Sequence, residues 1–272
     1  MFKTRLISGI LLVIAALLTI ISGGYVLFFT LLCISLIGMQ ELYKAMGIHE
    51  DRTGLLEIVG YLGAVLYYIS LLLGFESYGL MAVLVSLILV MFVYVFTYPK
   101  YHANQVMAAF FGVVYVAVML SFILMTRNLP DGKFIVWLIF LCSWGCDTCA
   151  YVVGKLIGKK HIFPELSPHK SLEGCIGGVA GAALIGGLYA HFFVEAAFPD
   201  QIITWTIAFI CAAGAVMSMV GDLAASAIKR NHNIKDYGKL IPGHGGIMDR
   251  FDSMTVTAPM TYFLAILMIG LR

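Results

Sequence analysis

The chain has 272 residues, 61% hydrophobic and 12% charged, against roughly 45–50% and about 25% in an ordinary soluble domain, so a soluble globule is excluded. Seventeen Lys and Arg against 15 Asp and Glu leave a formal charge of +2, and 28 Gly with 7 Pro are spread rather than clustered. A disordered tract and a nucleic-acid-binding surface are excluded with it.

A helix rises about 1.5 Å per residue and needs roughly 20 apolar residues to cross a hydrocarbon core of about 30 Å. Leu6 to Gln40 carries no charge over 35 residues; as one helix it would run about 52 Å, so the chain is expected to fold back, at Gly23-Gly24. The apolar stretch after Lys3 and Arg5 outlasts the usual 7–15-residue core of a signal peptide and lacks an A-x-A cleavage site, so the first span is expected to stay. Glu41 and Lys44, with Glu50, Asp51 and Arg52 in the link, read as a solvated interfacial turn. Further spans are predicted at about 56–75, 78–98 and 105–126, where Tyr61, Tyr67, Tyr68, Tyr94, Tyr98 and Tyr101 read as interfacial and packing residues. Up to about residue 130 few ionisable groups enter the spans, and residues 1–130 read as scaffold helices.

From residue 131 the character changes. The span at about 134–157 holds Asp147, about two turns inside the end marked by Lys155; an ionised Asp in a membrane costs about 2.5–3.5 kcal/mol and faces a partner or a wet cavity. Cys142, Cys146 and Cys149 share a face there, but no second Cys/His cluster completes a thiolate metal site, and all six cysteines read as small packing residues. The loop over 158–173 combines Lys159, Lys160, His161, His169 and Lys170 with Ser167 and Ser171, a composition suited to phosphate oxygens. Spans follow at about 174–196, 202–226 and 253–271, nine in all.

Between Asp222 and Asp252, nine of 31 residues are charged, of both signs. A lipid-surface patch needs cations alone; interleaved carboxylates suit a polyanion brought with a divalent metal. Helix continued through Arg230 aligns Asp222, Ser226, Lys229 and Arg230 on one face. In the loop over 228–250, Pro242 and the glycines at 243, 245 and 246 break the helix and let backbone N–H groups approach an anion. The last span opens at Asp249 and Asp252, near a helix N-terminus that favours phosphate. Asp222, Asp249 and Asp252 are hard carboxylates suited to Mg²⁺.

Positive residues stay on the cytoplasmic side. With the N-terminus inside, 14 Lys and Arg are cytoplasmic, and Arg127, Lys133 and Arg272 lie outside. The fold class expected is therefore all-α, a polytopic integral membrane protein of about nine transmembrane helices with a cytoplasmic N-terminus. Residues 131–272 form its catalytic region.

Ser226-Ala-Ile-Lys229-Arg230, then Lys235-Asp236, then Pro242-Gly243-His244-Gly245-Gly246-Ile-Met-Asp249-Arg250-Phe-Asp252 resembles the signature of the phosphatidate cytidylyltransferase (CDP-diacylglycerol synthase) family. Asp147-Thr148-x-Ala150-Tyr151 and Ser167-Pro168-x-Lys170-Ser171-x-Glu173-Gly174 look like its secondary motifs, with Ser171 where Thr is more usual. The resemblance implies condensation of CTP with phosphatidic acid at a lipid bilayer, giving CDP-diacylglycerol and pyrophosphate with one or two Mg²⁺ ions. It implies Asp222 and Asp249, then Asp147 and Asp252, as metal ligands. Lys229, Arg230, Lys235, Lys170 and Arg250 would pair with phosphates, Gly243 to Gly246 would cradle one, and His244 would donate to a phosphate or the leaving group. Ser167, Ser171, Glu173 and Ser226 join the substrate-binding set. The site is expected to face the cytoplasm, at the inner membrane if the source is bacterial; a homodimer is compatible with the sequence, which leaves the oligomeric state open. A secondary transporter fits less well, because its repeats would recur in both halves, whereas these motifs begin after residue 140. A CTP-dependent lipid kinase would release CDP rather than pyrophosphate.

Overall fold

A computed structural model of the chain describes residues 2–49, 53–74, 78–198 and 203–270, and they are helical throughout apart from links and two isolated backbone bridges. The helices are α1 (Phe2–Ser22), α2 (Gly24–Ala45), α3 (Leu55–Leu72), α4 (Gly79–Phe96), α5 (Ala103–Asn128), α6 (Gly132–Ile157), α7 (Leu172–Val194), α8 (Ile203–Asn231) and α9 (Met248–Ile269). Among the described residues, α2 to α9 are long and apolar enough to cross a membrane, and α1 adds the shorter apolar stretch Ile7–Ser22. The protein is an all-α polytopic membrane protein. The break between α1 and α2 falls where expected: Gly23 and Gly24 have φ of 59° and 47°, a region that glycine enters without a Cβ clash. Helix α8 runs on to Asn231, carrying Asp222, Ser226, Lys229 and Arg230 on one continuous helix.

The described residues form two compact units. One comprises the chain up to Ser121 together with Asn231–Phe251; the other comprises Phe122–Arg230 and the chain from Asp252 onward.

In the first unit, Tyr43 is fully buried, and its hydroxyl donates to the Ala109 carbonyl at 2.7 Å. Gly60 and Gly112 admit its ring, since a Cβ at either position would overlap it. Tyr67 and Tyr68 are buried with hydroxyl partners in Ser121 (3.1 Å) and Ser35 (2.9 Å), the packing role expected of them. The α2–α3 region is less bland than the sequence reads. Glu57 is fully buried, 2.8 Å from His49 Nδ1, and accepts from the Tyr61 hydroxyl, so a buried carboxylate cluster stands among the scaffold spans.

In the second unit, α6 and α7 approach closely because the facing residues are small. A Cβ on Gly177 would overlap Val153, and one on Gly181 would overlap Cys149. A core of Ile135, Leu138, Cys142, Ala190, Ile207, Cys211 and Ala265 fills the rest. All six cysteines are free, and Cys142, Cys146 and Cys211 are buried, in keeping with a packing role.

Candidate active site

In the second unit the charge-bearing residues gather at three elements. Asp147 on α6 lines a cavity of about 180 Å³ with Tyr151, His169, Lys170, Ser171, Cys175 and Met219. The Lys170 ammonium forms an ion pair with Asp222 of α8. Asp252, 7% exposed, stands within electrostatic reach of Asp222, then Lys229, then Asp147. Three carboxylates thus face two ammonium groups, an excess of negative charge in which Asp252 is buried while Asp147 and Asp222 keep contact with solvent.

The loop that presents Lys170 is held by its own backbone and by two of the expected substrate-binding residues. Ser171, 4% exposed, begins α7 and its Oγ accepts the Gly174 N–H at 3.2 Å, the N-cap that an extended Ser supplies. Glu173 accepts the N–H groups of Lys159 (3.0 Å) and Lys160 (3.2 Å). Leu172 N–H to Lys160 O (2.8 Å) and Ile162 N–H to Lys170 O (3.3 Å) close the base of the loop. Ser171 and Glu173 therefore shape the segment, while Lys170 and His169 reach the cavity. Ser167, half-buried, donates its N–H to Phe163 O at 2.8 Å and lines no part of this cavity.

In the first unit the Gly-rich loop forms a cleft of about 580 Å³ lined by Lys235, Asp236, Lys239, Gly243, His244, Gly245 and Arg250. Its turn is closed by Ile241 N–H to Gly245 O and His244 N–H to Ile241 O, both 2.9 Å, with Gly243 and Gly245 at φ of 77° and 85°. Asp249, 8% exposed, sits beneath: its Oδ2 accepts the N–H groups of Tyr237 (2.8 Å) and Gly246 (3.0 Å). A Cβ on Gly245 would lie 2.8 Å from that oxygen. The glycines thus let a carboxylate approach the turn, and the Gly246 N–H that the sequence offers to phosphate is bound to Asp249.

Glu41, read from the sequence as part of a solvated interfacial turn, is instead built into the Gly-rich loop. It is 7% exposed, not solvated, and its two carboxylate oxygens accept the N–H groups of Ile247 (3.1 Å) and Met248 (2.8 Å). The N-terminus of α9, expected to attract phosphate, is occupied by this side chain, an arrangement favoured by the helix dipole. Gly238 and Gly246 pack against the same carboxylate, and a Cβ on either would overlap it. The available signal was an acid inside an apolar helix.

The structure therefore brings Asp147, Lys170, Ser171, Asp222, Asp252 and Lys229 together in one unit, and Lys235, Gly243, His244, Gly245, Gly246, Asp249 and Arg250 in the other. Ser226 is half-buried and Arg230 exposed on α8; neither lines either cavity. Among the described residues no three His, Cys, Asp or Glu side chains are gathered closely enough to hold a metal ion.

Among the described residues, eight helices long and apolar enough to cross a membrane and one shorter apolar helix, with acidic and basic side chains at two cavities, define a polytopic membrane protein. A profile of the cytidylyltransferase family matches residues 3–268, and the chain belongs to that family. It is 30% identical over 271 residues to a phosphatidate cytidylyltransferase of Bacillus subtilis, covering 96% of this chain and 97% of that protein. It is 29% identical to the enzyme of that name from Staphylococcus haemolyticus, over 98% of this chain and 100% of the other. Over 143 residues, 53% of this chain and 47% of its relative, it is 38% identical to a phosphatidate cytidylyltransferase of Synechocystis.

Proposed function

We propose that this protein condenses CTP with phosphatidic acid, giving CDP-diacylglycerol and pyrophosphate, at a site facing the cytoplasm. A phosphate oxygen of the lipid attacks the α-phosphorus of CTP, and the bond to the β-phosphate oxygen breaks to release pyrophosphate. The nucleophile is already anionic, so no Ser or Cys nucleophile is needed; the protein positions groups and neutralises charge. The observation that carries this assignment is the cleft lined by Lys235, Lys239 and Arg250 around the Pro242–Gly246 turn, in a chain belonging to the cytidylyltransferase family. Three cations beside a turn built of glycine suit a triphosphate or its pyrophosphate product.

The donor chemistry of the second unit fits a hard divalent ion such as Mg²⁺, because Asp147, Asp222 and Asp252 outnumber Lys170 and Lys229, and Lys170 already serves Asp222 as a counter-cation. Asp222 and Asp252, with Asp147 nearby, would supply one or two of the ion's oxygen ligands, the rest coming from water and substrate phosphates. When bound, it supplies Lewis-acid neutralisation of phosphate oxygens. Lys170 and Lys229 balance the carboxylates and pair with phosphate oxygens, and Asp249 keeps the Gly-rich turn in shape through its two backbone donors.

The test is incubation of purified protein with phosphatidic acid, Mg²⁺ and CTP labelled at the α- or the γ-phosphate. Cytidylyl transfer carries the α-label into the lipid and leaves the γ-label in pyrophosphate. A lipid carrying the γ-label instead marks a kinase and overturns the assignment, as does a lipid carrying neither.

A further inference from the structure

Helix α1 has no role in the sequence beyond scaffold, yet its Ser8 reaches the Gly-rich turn. Ser8 Oγ lies 3.0 Å from the Pro242 carbonyl oxygen and 2.8 Å from His244 Nδ1. The backbone of the turn is closed by its own two hydrogen bonds, so what Ser8 adds is control of the imidazole ring.

A hydroxyl has one proton to give and lone pairs to receive with. The Pro242 carbonyl can only accept, so the Ser8 proton goes there and a Ser8 lone pair faces Nδ1. The imidazole must then supply the second proton. Neutral His244 is accordingly the Nδ1–H form, with Nε2 bare. The opposite tautomer would set two acceptors against one hydroxyl proton and leave one of these close contacts without a hydrogen. Protonation of the ring leaves the bond to Ser8 intact, since Nδ1 carries a hydrogen in both forms. Gly9 completes the seat: a Cβ there would stand 3.6 Å from Cε1 and 3.7 Å from Nε2, so the ring lies alongside the α1 backbone.

We propose that Ser8 is a positioning residue for the reaction: it holds His244 with Nδ1 protonated and so makes Nε2 the ring nitrogen that meets the substrate phosphates. When the ring takes up a proton, Nε2 becomes the donor to a phosphate oxygen, without the ring turning. The proposal rests on the cytidylyltransferase assignment for the identity of the anion, and on geometry alone for the tautomer.

Two measurements on the full-length protein test it. In the first, histidine is labelled with ¹⁵N, and the His244 signals are assigned by their absence from His244→Ala. Wild type should show a protonated Nδ1 and a bare Nε2 at a pH where the ring is neutral. Ser8→Ala should give a tautomer mixture, and Ser8→Thr, which keeps the hydroxyl, should restore the wild-type spectrum. A wild-type ring protonated at Nε2 overturns the proposal, and this spectrum needs no activity. In the second, cytidylyl transfer is measured for Ser8→Ala, His244→Ala and the double variant. Ser8→Ala should lower kcat/KM by about tenfold or more in the wild-type background, and by less than about twofold when His244 is already Ala. An equal loss in both backgrounds would mean that Ser8 merely anchors the turn, and sinks the positioning role. Inactive wild type would refute the cytidylyltransferase assignment instead, leaving the spectrum to decide the tautomer.

Discussion

Glu41 contributes through what it accepts rather than through its charge alone. Its two oxygens satisfy Ile247 and Met248 N–H groups at the start of α9. Glu41→Ala leaves the buried Met248 donor without an acceptor, at about 1–3 kcal/mol, and the half-buried Ile247 donor to water. The thermal midpoint in detergent should fall by several degrees, with a parallel loss of cytidylyl transfer; Glu41→Gln, which keeps one acceptor oxygen, should do less harm. An Ala variant with the wild-type midpoint would mean that water or another side chain replaces the carboxylate. Asp222 differs in kind, since it is partly exposed and paired with Lys170. Asp222→Asn should therefore insert and purify normally while losing most turnover, and near wild-type kcat would remove Asp222 from the reacting set.

The Gly-rich turn and the α6–α7 pair show how far small residues decide the elements. Gly245 combines φ of 85° with a Cβ position 2.8 Å from Asp249 Oδ2. Gly245→Ala therefore meets both a strained backbone, worth about 1–3 kcal/mol, and a displaced carboxylate. Raised apparent KM for CTP with retained folding is expected, and an unchanged KM would separate the turn from nucleotide binding. The links between helices carry the other prediction at this scale. If the expected topology holds, with 14 Lys and Arg on the cytoplasmic side and three outside, single-Cys probes beside Lys170 and Lys239 should resist a membrane-impermeant thiol reagent on intact cells. A probe in the link between α7 and α8 should react. Labelling of the Lys239 segment from outside would contradict the cytoplasmic site.

At the scale of the molecule, the proposed reaction draws on three carboxylates and two ammonium groups gathered in one unit and on the cationic cleft in the other. If the carboxylates hold a divalent ion, excess chelator should abolish cytidylyl transfer, and Mg²⁺ or another oxygen-preferring cation should restore it. Full activity in chelator would remove the ion from the mechanism. The first 130 residues, plain in hydropathy, supply Glu41 and Ser8 to the Gly-rich loop, so they shape the cleft that the charged motif lines.

The spans, the break at Gly23-Gly24, the extension of α8 through Arg230 and the charged motif from Asp222 to Asp252 were legible in the sequence. Each depends on a local property: the hydropathy of about 20 consecutive residues, a glycine's access to positive φ, or the order of side chains along one segment. Tertiary structure alone decided which polar groups meet. Glu41 binds N–H groups 206 and 207 residues away, and Ser8 faces a histidine 236 residues away. Packing brings those partners together, and no periodicity in either segment encodes the encounter. The same physics explains why Glu41 read as a solvated end and proved buried: burial of a carboxylate is tolerated where donors await it, and those donors belong to another part of the chain.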